Sequence, residues 1–482
     1  MVTKGIEPTD VLYFFEKICS IPHGSRNEAE LCAYICDFAK ERGLWYRSDE
    51  LFNVVVKKPG TAGYESSAPL MMQAHIDMVC EKNNDTVHDF TKDPLKLKVD
   101  GDILSAEGTT LGGDNGIGAA MMLAALDSKD LAHPPLECVF TSQEEIGLIG
   151  ANALDVSDLS AKTLINLDAG TEGEFIVSCA GGCRTEISFA PEFEATPAGY
   201  ACYELSVKGL LGGHSGGDII LERANANILM ARAIDQLAAD FGVRLVSIDG
   251  GAMDNAIPRE CSAKIAFASG DEQRVLAAVE HLQATYQKEY RHNEKTLSFT
   301  AEKCEAQNRI LADVTVNKII ALLLLSPSGV LARSLEMEDL VETSNNVAVI
   351  KTKEDAIVIR LSSRSSVDSR KDFVIQRIKL LCRLLGVEPT FSGVYPGWEY
   401  APTSRIRDVV SQAYLEQYGK EPIIKGSHGG LEPGILGSKI HGLDSVAMGP
   451  NLYGLHAPGE HASLSSIDRT WTLIKNVLAK LK

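Results

Sequence analysis

Four short segments of this chain place cation-binding or proton-moving side chains just beyond apolar runs. His75-Ile76-Asp77 follows the run 70–74, and Glu144-Glu145 follows the run 137–141. Asp168 follows the run 163–167, and Asp114 sits in the turn Gly112-Gly113-Asp114-Asn115-Gly116 after Leu111. In an open α/β sheet, ligands bind at the carboxyl ends of the strands. If these runs are parallel strands, the groups converge on one crevice. Several carboxylates stay ionised together in a cleft only when something neutralises them. Two divalent cations would do so. Each zinc would take one histidine and one terminal carboxylate, with Asp114 and a hydroxide shared, and the charges then balance with ligand types that zinc prefers.

That scheme needs two histidines. His75 is one. The turn-rich segment 451–460 offers His456, while His461 competes and spacing leaves the two open. Each piece is weak by itself. His-x-Asp arises by chance, adjacent glutamates usually mark a solvated face, and aspartate among glycines is usually a turn residue. Their joint placement after successive apolar runs carries the metal reading.

The elements that must position these groups fall into three stretches. The first third alternates helix and strand. Ser25-Arg26-Asn27-Glu28 reads as a capping box for a helix that stops at Gly43. Short apolar strands at 53–56, 70–74, 137–141 and 163–167, with a helix starting near Asn115, predict a largely parallel sheet. From about Arg184 to Ser392 strand-like segments (203–207, 264–268, 356–361) alternate with amphipathic helices (221–240, 271–290, 370–385). The order reads as βαββαβ repeated once, although the halves share no visible sequence repeat. From Thr403 the pattern returns to helix, strand and helix. The expected fold is α/β, a catalytic domain made of residues 1–183 and 393–482 with a second domain, 184–392, inserted into it.

Composition agrees. At 482 residues, the chain is long for one core. A formal charge of -18 argues against general nucleic-acid binding and favours cations near acidic clusters. The amino terminus shows no apolar signal core, and the longest aliphatic stretch, 319–325, is too short to cross a bilayer. The 11 cysteines read as reduced core residues of a cytoplasmic protein. Cys32/Cys36 and Cys179/Cys183 are each four apart, the spacing of one helix face.

Taken together, these motifs resemble the di-zinc metallopeptidases that include aminoacylase, carboxypeptidase G and the bacterial dipeptidases. His75-Ile76-Asp77 is similar to their first ligand motif, and Gly113-Asp114-Asn115-Gly116 to the bridging-aspartate loop. Glu144-Glu145-Ile146-Gly147 resembles the base-plus-ligand motif, with Asp168 and His456-Ala457-Pro458-Gly459-Glu460 at the last two ligand positions. The resemblance implies a zinc-exopeptidase-like α/β/α domain and an enlarged, ferredoxin-like α+β lid. It implies two zinc ions per subunit, replaceable by cobalt or manganese, with a hydroxide bridging them. The expected reaction is hydrolysis of unblocked dipeptides, Xaa-His among them, by a cytoplasmic enzyme that works without membrane or nucleic acid and can form a homodimer.

The resemblance also implies roles. Glu144 would be the general base. Glu145 and His456 would hold one zinc, His75 and Asp168 the other, and Asp114 both. Asp77 would fix the His75 ring. His214 would stabilise the developing oxyanion. Asn255 and Arg364 would bind the substrate carboxylate, with Gly430 lining the pocket and Glu432 near the substrate's amino group. Rival readings are a broader aminopeptidase, tripeptidase or amide deacylase of the same family, and a serine hydrolase using Ser215 in Gly213-His214-Ser215-Gly216-Gly217. A nucleotide-binding loop at 112–118 and a non-catalytic binding module complete the set.

Overall fold

The computed structural model describes residues 2–482. The chain divides into two compact units. The first comprises Met1–Cys179, Trp398–Gly426 and Leu431–Lys482; the second comprises Ala180–Gly397 and Ser427–Gly430.

The first unit is built on an eight-stranded sheet. At its centre Leu136–Thr141, Leu70–His75, Thr163–Asn166 and Asp444–Ala447 lie side by side and parallel. Every residue of Leu70–His75 and Leu136–Thr141 is buried. Successive side chains point to opposite faces of a strand, so both faces of this sheet are covered. One covering core joins Val55, Met71, Val139 and Leu164 of the strands to Leu436 and Ile440. The helix Leu464–Lys480 buries Leu464, Ile467, Trp471, Ile474 and Val477, the three-to-four spacing of one apolar stripe. The register matters for function. His75 lies opposite Thr141, and Gln73 opposite both Val139 and Asn166, so three site-bearing strands end at one level.

The second unit is a nine-stranded sheet, antiparallel at every observed pairing, backed by the helices Ala226–Phe241, Glu272–Glu289, Asp313–Leu325 and Asp368–Leu384 through one core. It contains the expected βαββαβ order twice. In the first copy Tyr200–Lys208, Arg244–Gly250, Cys261–Ala268 and Ser298–Lys303 are ordered four-one-three-two across the sheet. In the second, Gly181–Phe189, Val341–Thr352, Ile357–Ser365 and Pro389–Tyr395 repeat that order in mirror sequence. The first copy is nested inside the second, after its opening strand. The copies join where Asp249 and Gly250 pair with Lys351 and Ile350.

Local readings needed correction. Ser25 caps nothing: the helix begins at Ala29, its N-cap Glu28 makes no side-chain cap bond, and Ser25 Oγ donates instead to Asp77 Oδ2 at 2.7 Å. The helix expected from 221 starts at Ala226, where Asn225 accepts from the amides of Asn227 and Ile228; Ile219–Leu221 is a separate 3₁₀ turn. Cys179 and Cys183 are buried as expected, but they lie on two strands, not one helix. Among the described residues, no helix is long and apolar enough to cross a membrane.

Candidate metal centre

The carboxyl ends of the parallel strands deliver the predicted groups to one place in the first unit. His75 ends its strand, 1% exposed. Its Nδ1 lies 3.0 Å from the Asp77 carbonyl oxygen. A carbonyl only accepts, so Nδ1 carries a proton and Nε2 is the ring atom turned to the acids. Nε2 faces Asp114 Oδ1 at 3.0 Å and Asp168 Oδ1 at 3.7 Å. On the other side of Asp114, His456 Nε2 lies 3.4 Å from Asp114 Oδ2 and 3.0 Å from Glu145 Oε1. Asp114 therefore stands between two imidazoles. His461 is elsewhere, its ring stacked on Tyr453 with centroids 5.0 Å apart and its Nδ1 donating to the Gly459 carbonyl.

Three sets of ligand atoms are close enough to hold an ion: His75, Asp114 and Asp168; Asp114, Glu145 and His456; and His75, Glu144 and Glu145. Two of these share Asp114. A direct observation tests the fit. Glu145 Oε1 is buried and accepts no hydrogen bond, although His456 Nε2 is 3.0 Å away. Both atoms, with Asp114, lie close enough together to share one ion. Electrostatics agrees. Burial, with the neighbouring acids, pushes the Glu144 and Asp168 carboxyls well above their ordinary range. Against the same burial, His456 and His75 hold Asp114 far below it. The Asp114 and Glu145 carboxylates push the His456 imidazole up to about 10. Without cations, protons must do the neutralising that this donor set demands. Imidazole and carboxylate ligands at this spacing suit divalent ions such as zinc.

Asp77 stands behind the ligands. Its Oδ1 accepts from the Glu144 amide at 2.9 Å, and its Oδ2 from the Glu145 amide at 3.2 Å and from Ser25. Asp77 thus steadies the His75 ring through its carbonyl and both glutamates through its carboxylate. Sequence reasoning missed Gln73, Thr141 and Asn166, which surround Glu432 and Asp168. Gln73 donates to Glu432 Oε2, as does Thr141 Oγ1 at 2.8 Å. Asn166 donates to Gln73 at 2.6 Å and accepts from the Asp168 amide. Gln73 could have been found, because a residue two before His75 on a strand shares its face. Glu432 is fully buried beside His75, and burial pushes its carboxyl up to about 7. Glu460 was read only as the end of a histidine motif. It accepts hydrogen bonds from the amides of Leu111, Gly112, Gly113 and Asp114. A phosphate would need those amides, so 112–118 is not a nucleotide loop.

The second unit gathers a different set. His214 pairs with Ala256 across a two-residue ladder beside Asn255, whose carbonyl accepts from the Ser215 amide. His214 Nδ1 accepts from the amides of Gly216 and Gly217 at 3.2 Å, so the neutral ring offers Nε2–H as a donor. Burial, then the Arg364 charge, lowers its pKa. Arg364 is 9% exposed, reaches the Tyr395 hydroxyl at 3.4 Å, and keeps a buried Nε without a partner. His428 Nε2 meets Ser344 Oγ at 2.7 Å, its Nδ1 has no partner, and burial pushes the ring down to about 3. Gly430 packs on Tyr395, where an added Cβ would come within 2.7 Å of the ring. Tyr395, Ser344 and the part played by His428 gave no signal in the sequence. Ser215 overturns the serine-hydrolase reading: it is 1% exposed, and its Oγ has no hydrogen-bond partner, hence no base.

Comparison with known proteins follows the same lines. A profile of the peptidase dimerisation domain matches residues 205–294, and one of peptidase family M28 matches residues 53–201. The chain is 39% identical to the cytosol non-specific dipeptidase of Escherichia coli, over 99% of this chain and 98% of that one. Its structure matches the crystal structure of aminoacylhistidine dipeptidase from Vibrio alginolyticus with a TM-score of 0.93 at 37% identity, covering 100% of this chain and 98% of that one. The aminopeptidase PepT of Bacillus cereus shares the fold alone, with a TM-score of 0.57 at 16% identity over 99% of both chains.

Proposed function

The chain belongs to the M20 metallopeptidase family, with the cytosol non-specific dipeptidases, and from that premise we propose that it hydrolyses unblocked dipeptides, Xaa-His among them, with two zinc ions in the cytoplasm. Members of this family work with divalent metal ions on small peptides. The observation that carries the reading is the gathering of the His75 and His456 ring nitrogens and the Asp114, Asp168 and Glu145 carboxylates into two sets that share Asp114, with Glu145 Oε1 buried and accepting no hydrogen bond. His75 and Asp168 would hold one zinc, His456 and Glu145 the other, and Asp114 both. When bound, the ions supply Lewis acidity for the scissile carbonyl and acidify the attacking water.

The chain's own groups do the rest. Glu144 takes the proton from the attacking water and passes it to the leaving amine nitrogen. Its backbone amide, fixed by Asp77, holds it in place. Asp77 also keeps the His75 proton on Nδ1, so that Nε2 stays free to bind. In the second unit, His214 offers Nε2–H to the oxyanion. Arg364, with Asn255, takes the peptide's terminal carboxylate, and Gly430 lets the chain pass close to the Tyr395 ring. Free cysteines throughout the described residues and the cytosolic relative support the compartment. The dimerisation-domain match at 205–294 supports a homodimer, which sedimentation velocity tests.

The test is a panel of dipeptides and tripeptides on zinc-reconstituted protein. Dipeptides should be cleaved, a chelator should abolish the activity, and a phosphonate serine reagent should leave it intact. Tripeptide cleavage equal to dipeptide cleavage would replace the dipeptidase reading with a general aminopeptidase.

A further inference from the structure

Asp114 occupies a glycine turn, and a turn aspartate ordinarily spends its carboxylate on its own backbone amides. Here that does not happen. The amides of Leu111 and Gly112 donate to Glu460 Oε2 at 2.8 and 3.1 Å, and those of Gly113 and Asp114 donate to Glu460 Oε1 at 2.8 and 3.4 Å. A carboxylate offers about four lone-pair sites, so four consecutive donors match its capacity. Glu460 is 3% exposed. Beneath the turn there is no room to adjust: Gly112 has φ +67°, and a Cβ there would come within 2.9 Å of Met78 Sδ and 3.4 Å of His23 Nε2. Glu460 also ends the segment that carries His456, and its own amide donates to the Ala457 carbonyl.

We propose that Glu460 is a positioning residue: by taking the four amides of the turn, it leaves the Asp114 carboxylate free to face His75 and His456 at once, and it ties the Asp114 turn to the His456 loop. The inference rests on reading Asp114 as the shared ligand. Glutamine fits the same space but has only two acceptor sites and brings two donors, so half of the amides would lose their partner.

The experiment uses the full chain, stripped with chelator and titrated with zinc by calorimetry, beside the Glu460→Gln variant. The unaltered protein should take up two ions. The variant should bind its first ion normally and its second about 10- to 100-fold more weakly. Its amides at 111–114 should exchange hydrogen at least ~10-fold faster, and saturating zinc should restore turnover. Two equal, unchanged affinities with unchanged exchange would overturn the proposal. So would loss of both ions in step with the melting temperature, which is the mark of a merely structural residue. If the variant does not fold, the unaltered protein decides: stripped of zinc, it should keep the four amides protected, and loss of their protection on chelation would show that metal, not Glu460, holds the turn. Uptake of fewer than two ions by the unaltered protein would instead sink the metal-centre reading itself.

Discussion

Two buried clusters in this molecule err in opposite directions. Around His75 and Asp114, the unpartnered carboxylate oxygens are Glu145 Oε1 and Glu432 Oε1, with the Asn115 amide nitrogen also unpartnered in the adjoining segment. Around Arg364, the unpartnered atoms are nitrogens, Arg364 Nε and His428 Nδ1. A buried polar atom without a partner costs about 1–3 kcal/mol, so neither surplus is idle. An excess of acceptors calls for cations, and an excess of donors calls for an anion. A dipeptide bears a carboxylate at one end and, at its scissile bond, a carbonyl that turns anionic during attack. Under the proposed function, the first set of residues would hold the cations and the second would meet the negative charge of the substrate.

The sharpest way to break this division is within the acceptor cluster, at the one carboxylate assigned to moving protons rather than holding cations. Glu144→Gln should lower kcat by about 10³-fold, within the range removed with a general base, and calorimetry should still find two zinc ions. Loss of a zinc ion along with the activity would move Glu144 into the ligand set. In the donor cluster, Arg364→Ala should lower kcat/KM for dipeptides with a free carboxylate by about 100-fold, the scale of a lost charge-assisted pair. Dipeptide amides should lose much less. Equal losses on acids and amides would mean that Arg364 recognises something other than the carboxylate.

The two clusters also differed in legibility. The candidate ligands of the first unit were readable because strand ends and chain order placed them: His75 ends its strand, and Glu144, Glu145 and Asp168 come after strands that register beside it. What holds them was mostly hidden. Ser25 looked like a helix cap because its spacing to Glu28 fits one, yet its hydroxyl is used by a carboxylate 52 residues away. Glu460 bonds a turn nearly 350 residues earlier, and no local pattern announces so long a reach. In the second unit the βαββαβ order was legible from alternating periodicities, but the nesting of one copy inside the other was not. Nesting is a matter of which strands pair, and pairing at Asp249 and Lys351 leaves no mark on either segment alone. Arg364 and His214 stood out by type and by family likeness, whereas Tyr395 and Ser344 are ordinary residues until the sheet brings them in.

A smaller effect compares how the two units fix their loops. Glu294, 2% exposed, accepts from the amides of Leu211 and Ala224 and so closes the loop that carries His214. It does with two amides what Glu460 does with four. Glu294→Gln should lower kcat by about 10-fold, the cost of one to two weakened charge-assisted bonds, with zinc affinity unchanged. A change in zinc affinity would mean that the loops of the two units are not independently held.

The smallest expected effect lies in the support of Asp77. Its carboxylate receives three donors, the amides of Glu144 and Glu145 and the Ser25 hydroxyl. The amides belong to the segment that Asp77 positions, while Ser25 comes from the far side and acts only on Asp77 itself. Ser25→Ala removes one neutral donor from a buried acceptor that keeps two others, a loss of about 1 kcal/mol. Turnover should fall about 3- to 5-fold, and both zinc ions should stay bound, because the His75 proton still has the Asp77 carbonyl as its acceptor at 3.0 Å. If Ser25→Ala instead released a zinc ion, the His75 ring would owe its orientation to the Asp77 carboxylate rather than to the Asp77 carbonyl.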